Sequence, residues 1–231
     1  MKRIFFITVF LLSILVLKAQ IKHEFSFGIA IPQGYFGMDN YDKAIFNGYG
    51  EASTGLTMQY KLLYPLDAKN LFVTFNTGVI YNDVQKYYKE EFEDMELDED
   101  DIYQIPKYLN FPVLAGLQFE QPISNNIGFY AGAEFGVNLL KITDFWIEGS
   151  DDYENITFRP SAGLGIKLGG GFTFNKKFII NINYLHLGNH QVEYLLIYKD
   201  YENDDYSDAD RGKFLKPLPI HLLNITFSIR L

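Results

Sequence analysis

Residues 223–231 read Leu-Asn-Ile-Thr-Phe-Ser-Ile-Arg-Leu, so a large apolar side chain stands at every second position. Residues 25–31 alternate in the same way, with Phe, Phe, Ile and Ile separated by Ser, Gly and Ala. Successive side chains of a β-strand point to opposite faces of the sheet. Each stretch is therefore predicted to be a strand with one apolar face and one face of small or polar side chains.

The alternation recurs in eight segments of 11 to 18 residues, which we predict as strands over residues 22–32, 50–63, 71–83, 106–119, 127–141, 157–174, 178–189 and 217–231. Strands of soluble proteins average about 5–6 residues, whereas a tilted strand of about 9–11 residues crosses a bilayer. Three consecutive glycines at 169–171 leave a bulge, or a division into two strands, as the alternative for the segment 157–174.

The connections between these segments alternate between long and short. The long ones are residues 33–49, 84–105, 142–156 and 190–216, and the short turns are 65–70, 121–126 and 175–177. Transmembrane barrels have long outer loops and short periplasmic turns. The sequence therefore predicts an all-β fold, an eight-stranded antiparallel up-and-down transmembrane β-barrel. A soluble periplasmic barrel that binds a hydrophobic ligand is the alternative.

The face opposite the apolar one consists mainly of Gly, Ser, Thr, Asn and Gln, which suits the crowded lumen of a small barrel better than a solvated exterior. A buried charge needs a partner, and this face carries charges of both signs. We predict that they form a charge network that fills the lumen; a path for protons or ions is the alternative. Its predicted members are Glu24, Lys61, Glu134, Arg159, Lys167 and Arg230.

Residues 1–19 are predicted to be a secretory signal peptide, and residues 20–231 the barrel domain. The segment begins with a basic pair, continues as an apolar run over residues 4–17 and ends with Ala19. The run is shorter than the about 20 residues of a spanning helix, and an uncleaved anchor helix is the alternative. Export without a helical span or a cysteine for lipid attachment leaves a soluble envelope protein or a transmembrane barrel. With the barrel predicted above, the expected location is the cell outer membrane.

Acidic residues are concentrated in the predicted long loops. The formal charge is −9, and 20 of the 29 acids lie in residues 90–101, 144–154 and 200–210. Nucleic acid is not expected as a partner, because phosphate binding needs a basic patch. The acid runs could supply oxygen ligands to Ca²⁺, but their spacing is irregular, and solvated loops are the favoured interpretation.

The four histidines are the candidates for catalysis at the barrel rim. His23 and His221 are expected near the short turns, and His186 and His190 where the seventh strand meets the last long loop. Two residues four apart on a strand share a face at about 13 Å, which is too far for joint metal ligation. We expect no catalytic residue, cofactor or metal; a lipid-modifying enzyme, with His186 and His190 as the first residues to test, is the alternative.

The segment at 108–116, Tyr-Leu-Asn-Phe-Pro-Val-Leu-Ala-Gly, resembles a strand of the PorT-like small outer-membrane β-barrels of Bacteroidetes, which are of the OmpA/OmpX type. The following segment at 129–136 is similar to the next strand of that family. The resemblance covers the layout of residues 20–231. It implies an outer-membrane barrel and supplies no catalytic residues.

Together these patterns predict a small monomeric barrel with a filled lumen, in contact with outer-membrane lipid. Its expected role is structural or interactive, with other envelope or surface proteins as partners through loops 84–105 and 190–216. A narrow, porin-like channel for small solutes or ions is the alternative.

Overall fold

The structure, a computed structural model, describes residues 21–38, 49–66, 70–85, 102–148, 152–200 and 210–231. The predicted signal peptide and the acid run at 90–101 lie outside these residues, as do positions 201–209 of the last acid run. No helix within the described ranges is long and apolar enough to cross a membrane.

Thirteen strands lie in the described part of the chain, eight of which close into a barrel. Each barrel strand pairs antiparallel with its neighbours in chain order, and the first pairs with the last. The predicted fold class is confirmed. The barrel strands are β1 (Lys22–Pro32), β2 (Gly55–Pro65), β3 (Leu71–Asn82), β5 (Tyr108–Pro122), β6 (Ile127–Ile142), β9 (Ser161–Phe174), β10 (Phe178–His190) and β13 (Leu218–Arg230).

The alternation of the sequence becomes the two faces of the barrel wall. On β6, Phe135, Val137 and Leu139 point outwards and are exposed. Glu134 and Asn138, at positions of the opposite parity, point into the lumen and are buried. This arrangement recurs around the barrel, because the side-chain period of a strand is two and neighbouring strands are in register.

The lengths of the connections segregate to the two ends of the barrel, as predicted. Tight connections at 66–70, 123–126 and 175–177 join β2 to β3, β5 to β6 and β9 to β10. Asn70, Asn175 and Lys176 take positive φ angles of 67°, 52° and 60° in these turns, which asparagine tolerates better than most residues. We call this the short-turn end, and the opposite end the long-loop end.

The remaining strands form a second, five-stranded sheet at the long-loop end, which we call the rim sheet. Three of its strands continue barrel strands after a break of two residues: β7 (Phe145–Glu148) follows β6, β8 (Asp152–Phe158) precedes β9 and β11 (Glu193–Asp200) follows β10. The strands, in sheet order, are β12 (Asp210–Lys213), β11 (Glu193–Asp200), β8 (Asp152–Phe158), β7 (Phe145–Glu148) and β4 (Ile102–Gln104).

The prediction of loops over 84–105, 142–156 and 190–216 is wrong where these rim strands lie. Acidic residues interrupt the apolar pattern there, so Phe145 of β7 and Ile156 of β8 do not stand out in the sequence. In the structure both are buried, and β8 pairs with β7 on one side and β11 on the other.

The triple glycine does not divide the sixth predicted strand, because β9 runs unbroken through residues 169–171. A Cβ at Gly170 would lie 2.4 Å from the carbonyl oxygen of Tyr130, so the wall is too close there for a side chain. The break falls instead at Arg159 and Pro160, between β8 and β9. Proline has no N–H to donate to the ladder.

Candidate functional site

The outer face of the barrel wall is a continuous apolar surface. Phe27, Met58 and Leu164 are 56%, 59% and 63% exposed, and similar side chains cover every barrel strand. A soluble monomer rarely exposes an apolar patch larger than a few hundred Å². This face is therefore suited to contact with lipid chains.

Polar aromatic side chains border this apolar band at both ends. At the short-turn end, His23 Nδ1 lies 2.7 Å from the hydroxyl of Tyr60. At the long-loop end, Tyr184 Oη lies 2.6 Å from His221 Nδ1, and the His186 and His221 rings are 4.5 Å apart. Amphipathic rings at these two levels match the aromatic girdles of membrane barrels.

A network of charged side chains fills the short-turn half of the lumen. Arg230 donates to both oxygens of Glu120, at 2.7 and 3.2 Å, and to Glu24 at 3.2 Å. Lys22 adds a contact to Glu120 at 3.2 Å. These residues come from β1, β5 and β13, so the ion pairs tie together opposite parts of the wall.

The network continues towards the middle of the lumen through two lysines. Lys61 Nζ lies 3.8 Å from Glu24 and 3.9 Å from Glu134. Lys167 Nζ lies 3.2 Å from Glu134 and donates to Gln59 at 3.1 Å. Two amide side chains add hydrogen bonds to the network. Asn76 donates to Glu134, and Gln118 accepts from Lys61.

Five of the six residues predicted for the network lie in it: Glu24, Lys61, Glu134, Lys167 and Arg230. Arg159 does not, because it stands in the break before β9, where it is 60% exposed and lies 3.6 Å from Glu193. Lys22 and Glu120 belong to the network although they were not predicted. Glu120 has the lumen-facing parity of Gln118, but the strand predicted there ended at residue 119.

An apolar plug fills the long-loop half of the lumen. Phe36, in a short 3₁₀ turn at Gly34–Phe36, folds into the barrel mouth, where its ring meets Tyr108 edge to face at 5.2 Å. The Tyr108 hydroxyl donates to the carbonyl of Gly50 at 2.6 Å. The plug continues into the rim sheet, and its fully buried members include Ala30, Ile80, Leu140, Leu185, Leu187, Leu218, Ile220 and Leu222.

A β-bulge overturns the expectation that His186 and His190 share one face. The register between β10 and β13 shifts between His186 and Asn189, where Gly188 takes a φ of +103°. The extra residue turns His190 into the lumen, whereas His186 stays on the outer face. His221 lies beside His186, not at the short-turn end, because β13 begins at the long-loop end.

His190 is fully buried in a polar cluster beneath the rim. Its Nδ1 lies 3.2 Å from Ser161 Oγ, and its Nε2 lies 3.0 Å from the carbonyl of Leu187 and 3.2 Å from Asn138 Nδ2. A serine beside a histidine is the start of a nucleophilic pair, but these contacts of His190 include no carboxylate and the ring has no exposed edge.

Metal ligands do not cluster in the described ranges. No group of three or more His, Cys, Asp or Glu side chains there is arranged to hold a metal ion. The acid run at residues 90–101, which was considered for Ca²⁺, lies outside those ranges.

Several solved structures are similar to this chain at low sequence identity. They include Neisserial surface protein A (11% identity, 91% of this chain and 96% of that chain, TM-score 0.45) and OprG from Pseudomonas aeruginosa (12%, 91% and 95%, 0.48). Ail, the attachment invasion locus protein of Yersinia pestis, is 12% identical over 92% of this chain and 97% of its own, with a TM-score of 0.41. No curated protein sequence matches the chain.

The family comparison agrees with the barrel fold. The model of the outer membrane protein beta-barrel domain matches residues 19–188, well over half of the 231 residues. The chain belongs to the family of outer membrane proteins with a β-barrel domain, and membership implies a place in the outer membrane.

Proposed function

We propose that the protein is a closed outer-membrane barrel whose role is structural or interactive, through the segments at its long-loop end. The observation that carries this proposal is the filling of the lumen. The apolar plug occupies one half, and the charge network occupies the other. Such a barrel has little free space for solute. Its function would therefore depend on the surface that lies outside the membrane.

The proposed orientation places the rim sheet and the acid runs outside the cell and the short turns in the periplasm. A signal peptide over residues 1–19 would export the chain, and PorT-like barrels of Bacteroidetes are the proposed subgroup. In this proposal the barrel is monomeric, has no catalytic role, and contacts other envelope or surface proteins through residues 84–105 and 190–216.

The rim sheet supports the interaction role. It extends the barrel wall by up to eight residues on β11, and within the described ranges β4 and β12 are paired on one side only. An open strand edge is a template for pairing with another chain. The acid runs flank these edges in sequence and would favour partners with a basic surface.

The proposal is tested by photo-crosslinking in intact cells. A photoreactive residue at Leu97 or Ser207 should give a specific cross-linked product, whereas the same residue at Asn125 in a short turn should not give that product. Replacing the nine acids of residues 90–101 by their amides should abolish the product from position 97. Identical products from all three positions, or none from either long segment, would contradict the interaction role.

The narrow channel is the second candidate, and the filled lumen argues against it. The other alternative, a lipid-modifying enzyme with its site at the rim, is supported only by the contact between Ser161 and His190. No observation favours either above the closed barrel.

A further inference from the structure

A polar recess of about 330 Å³ opens at the short-turn end of the lumen, on the side opposite the apolar plug. Its wall carries three cationic side chains, Lys22, Lys176 and Arg230, and one carboxylate, Glu120. Amide and hydroxyl side chains stand around them: Asn70, Ser124, Asn125, Asn126 and Thr173. The recess therefore presents many hydrogen-bond donors and little negative charge.

Positive charge exceeds negative charge in the recess and in the network behind it. Glu120 is shared between Arg230 and Lys22, at 2.7 and 3.2 Å. Glu24, the other carboxylate that Arg230 contacts, also faces Lys61 at 3.8 Å. Among the ion pairs described in the lumen, four cations (Lys22, Lys61, Lys167 and Arg230) share three carboxylates (Glu24, Glu120 and Glu134).

Arg230 supplies a further sign of an incomplete site. Its side chain is only 6% exposed, and its Nε is buried without a hydrogen-bond partner among the described residues. Lys176, an exposed side chain that also lines the recess, adds one more positive charge and forms no ion pair with a described carboxylate. A buried donor without an acceptor is unfavourable, and an oxygen of a bound anion would satisfy the Nε of Arg230.

We propose that this recess binds a phosphate group. Phosphate matches the site because it offers several strong acceptor oxygens to arginine, lysine and amide donors. The recess lies at the level of the His23–Tyr60 girdle, where phospholipid headgroups would stand. The group can therefore come from a lipid headgroup or from free phosphate, and the acid runs at the opposite end of the barrel do not compete for it.

The test compares Lys176→Gln with Lys177→Gln, using the midpoint of heat unfolding as the readout. Both side chains are exposed, but Lys176 lines the recess and Lys177 does not. Both substitutions remove one charge from the same turn, and neither touches the buried network, so both variants should fold. The first arm adds inorganic phosphate to the full chain in non-ionic detergent; the second compares vesicles of a phosphate-free glycolipid with the same vesicles containing phosphatidylglycerol.

The proposal expects phosphate, phosphatidylglycerol or both to raise the midpoint of the unsubstituted protein. Lys176→Gln should weaken the response about tenfold in apparent affinity, the typical effect of losing one charged hydrogen bond, and Lys177→Gln should keep it. A response in detergent assigns the site to free phosphate, and a response only in vesicles assigns it to a headgroup. No response in either arm, or equal weakening by both substitutions, would overturn the proposal.

Discussion

At the scale of single residues, Glu134 lies between two buried lysines, with Lys167 Nζ at 3.2 Å and Lys61 Nζ at 3.9 Å. Glu134→Gln keeps the shape of the side chain but leaves both lysines without this counter-charge. Removing one partner of a buried ion pair typically costs about 3–5 kcal/mol. We expect a loss of that order in the free energy of unfolding, measured by urea titration of the protein folded in vesicles.

Arg159→Gln provides the matched control, because it also removes one charge from an ion pair. The Arg159–Glu193 pair is exposed at the rim, and exposed pairs contribute about 0–1 kcal/mol. The expected loss is therefore at the lower limit of detection. Equal losses for the two variants would show that the lumen pairs are no more important than surface pairs.

The lumen residues were largely predictable from the sequence, since parity along a regular strand assigns each side chain to a face. Glu24, Lys61 and Arg230 follow this rule. Glu120 lies one residue beyond the predicted end of its strand at 119, and Arg159 lies in the break before β9, which parity alone does not reveal. Which carboxylate meets which lysine depends on the register around the closed barrel, and that register is not visible in one segment at a time.

At the scale of elements, the bulge at the end of β10 depends on Gly188. Its φ is +103°, and a Cβ there would lie 2.9 Å from the Cα of Gly163. Gly188→Ala should lower the free energy of unfolding by about 1–3 kcal/mol, from backbone strain and from this contact. The loss of stability would appear on a gel as a lower temperature at which the barrel changes from its folded to its unfolded mobility.

Gly34→Ala is the control for backbone strain alone. Gly34 also has a positive φ, of +55°, but no heavy atom lies within 4 Å of the added Cβ. Its effect should be smaller than that of Gly188→Ala. A larger effect at Gly34 would show that the bulge is not held by the close approach of β9 and β10.

The rim sheet makes a second prediction at this scale, because it carries Trp146, the single tryptophan of the chain. The sheet lies beyond the apolar band, so lipids with brominated acyl chains should leave the fluorescence of Trp146 unchanged. Phe135, which is exposed on the outer face of β6, should behave in the opposite way: Phe135→Trp in a Trp146→Phe background should be strongly quenched. Strong quenching of Trp146 would place the rim sheet in lipid.

Neither the bulge nor the rim sheet was predictable from the sequence. A single glycine near a strand end does not distinguish a bulge from ordinary strand, and one extra residue was enough to separate His186 from His190. Two of the rim pairings, β4 with β7 and β8 with β11, join segments that are far apart in sequence, and acidic residues such as Glu148 and Glu154 hide the apolar positions. Pairing between strands, rather than local pattern, decides these elements.

At the scale of the whole molecule, the sequence determines the barrel because every level of pattern agrees. The apolar parity, the strand lengths and the segregation of long and short connections all require a closed sheet with an apolar exterior. The same reasoning predicted a filled lumen but described its wall as small and polar throughout. The structure adds the apolar plug, in which Leu140, Leu185 and Leu187 face inwards at the long-loop end.

The central claim is that this lumen is closed, and conductance across a planar bilayer tests it most directly. The inserted protein is first shown to be folded by its heat-modifiable mobility on a gel. Bilayers that contain the folded barrel should then show no more current than protein-free bilayers at the same voltage. Discrete, reproducible current steps from the folded barrel would contradict the closed lumen.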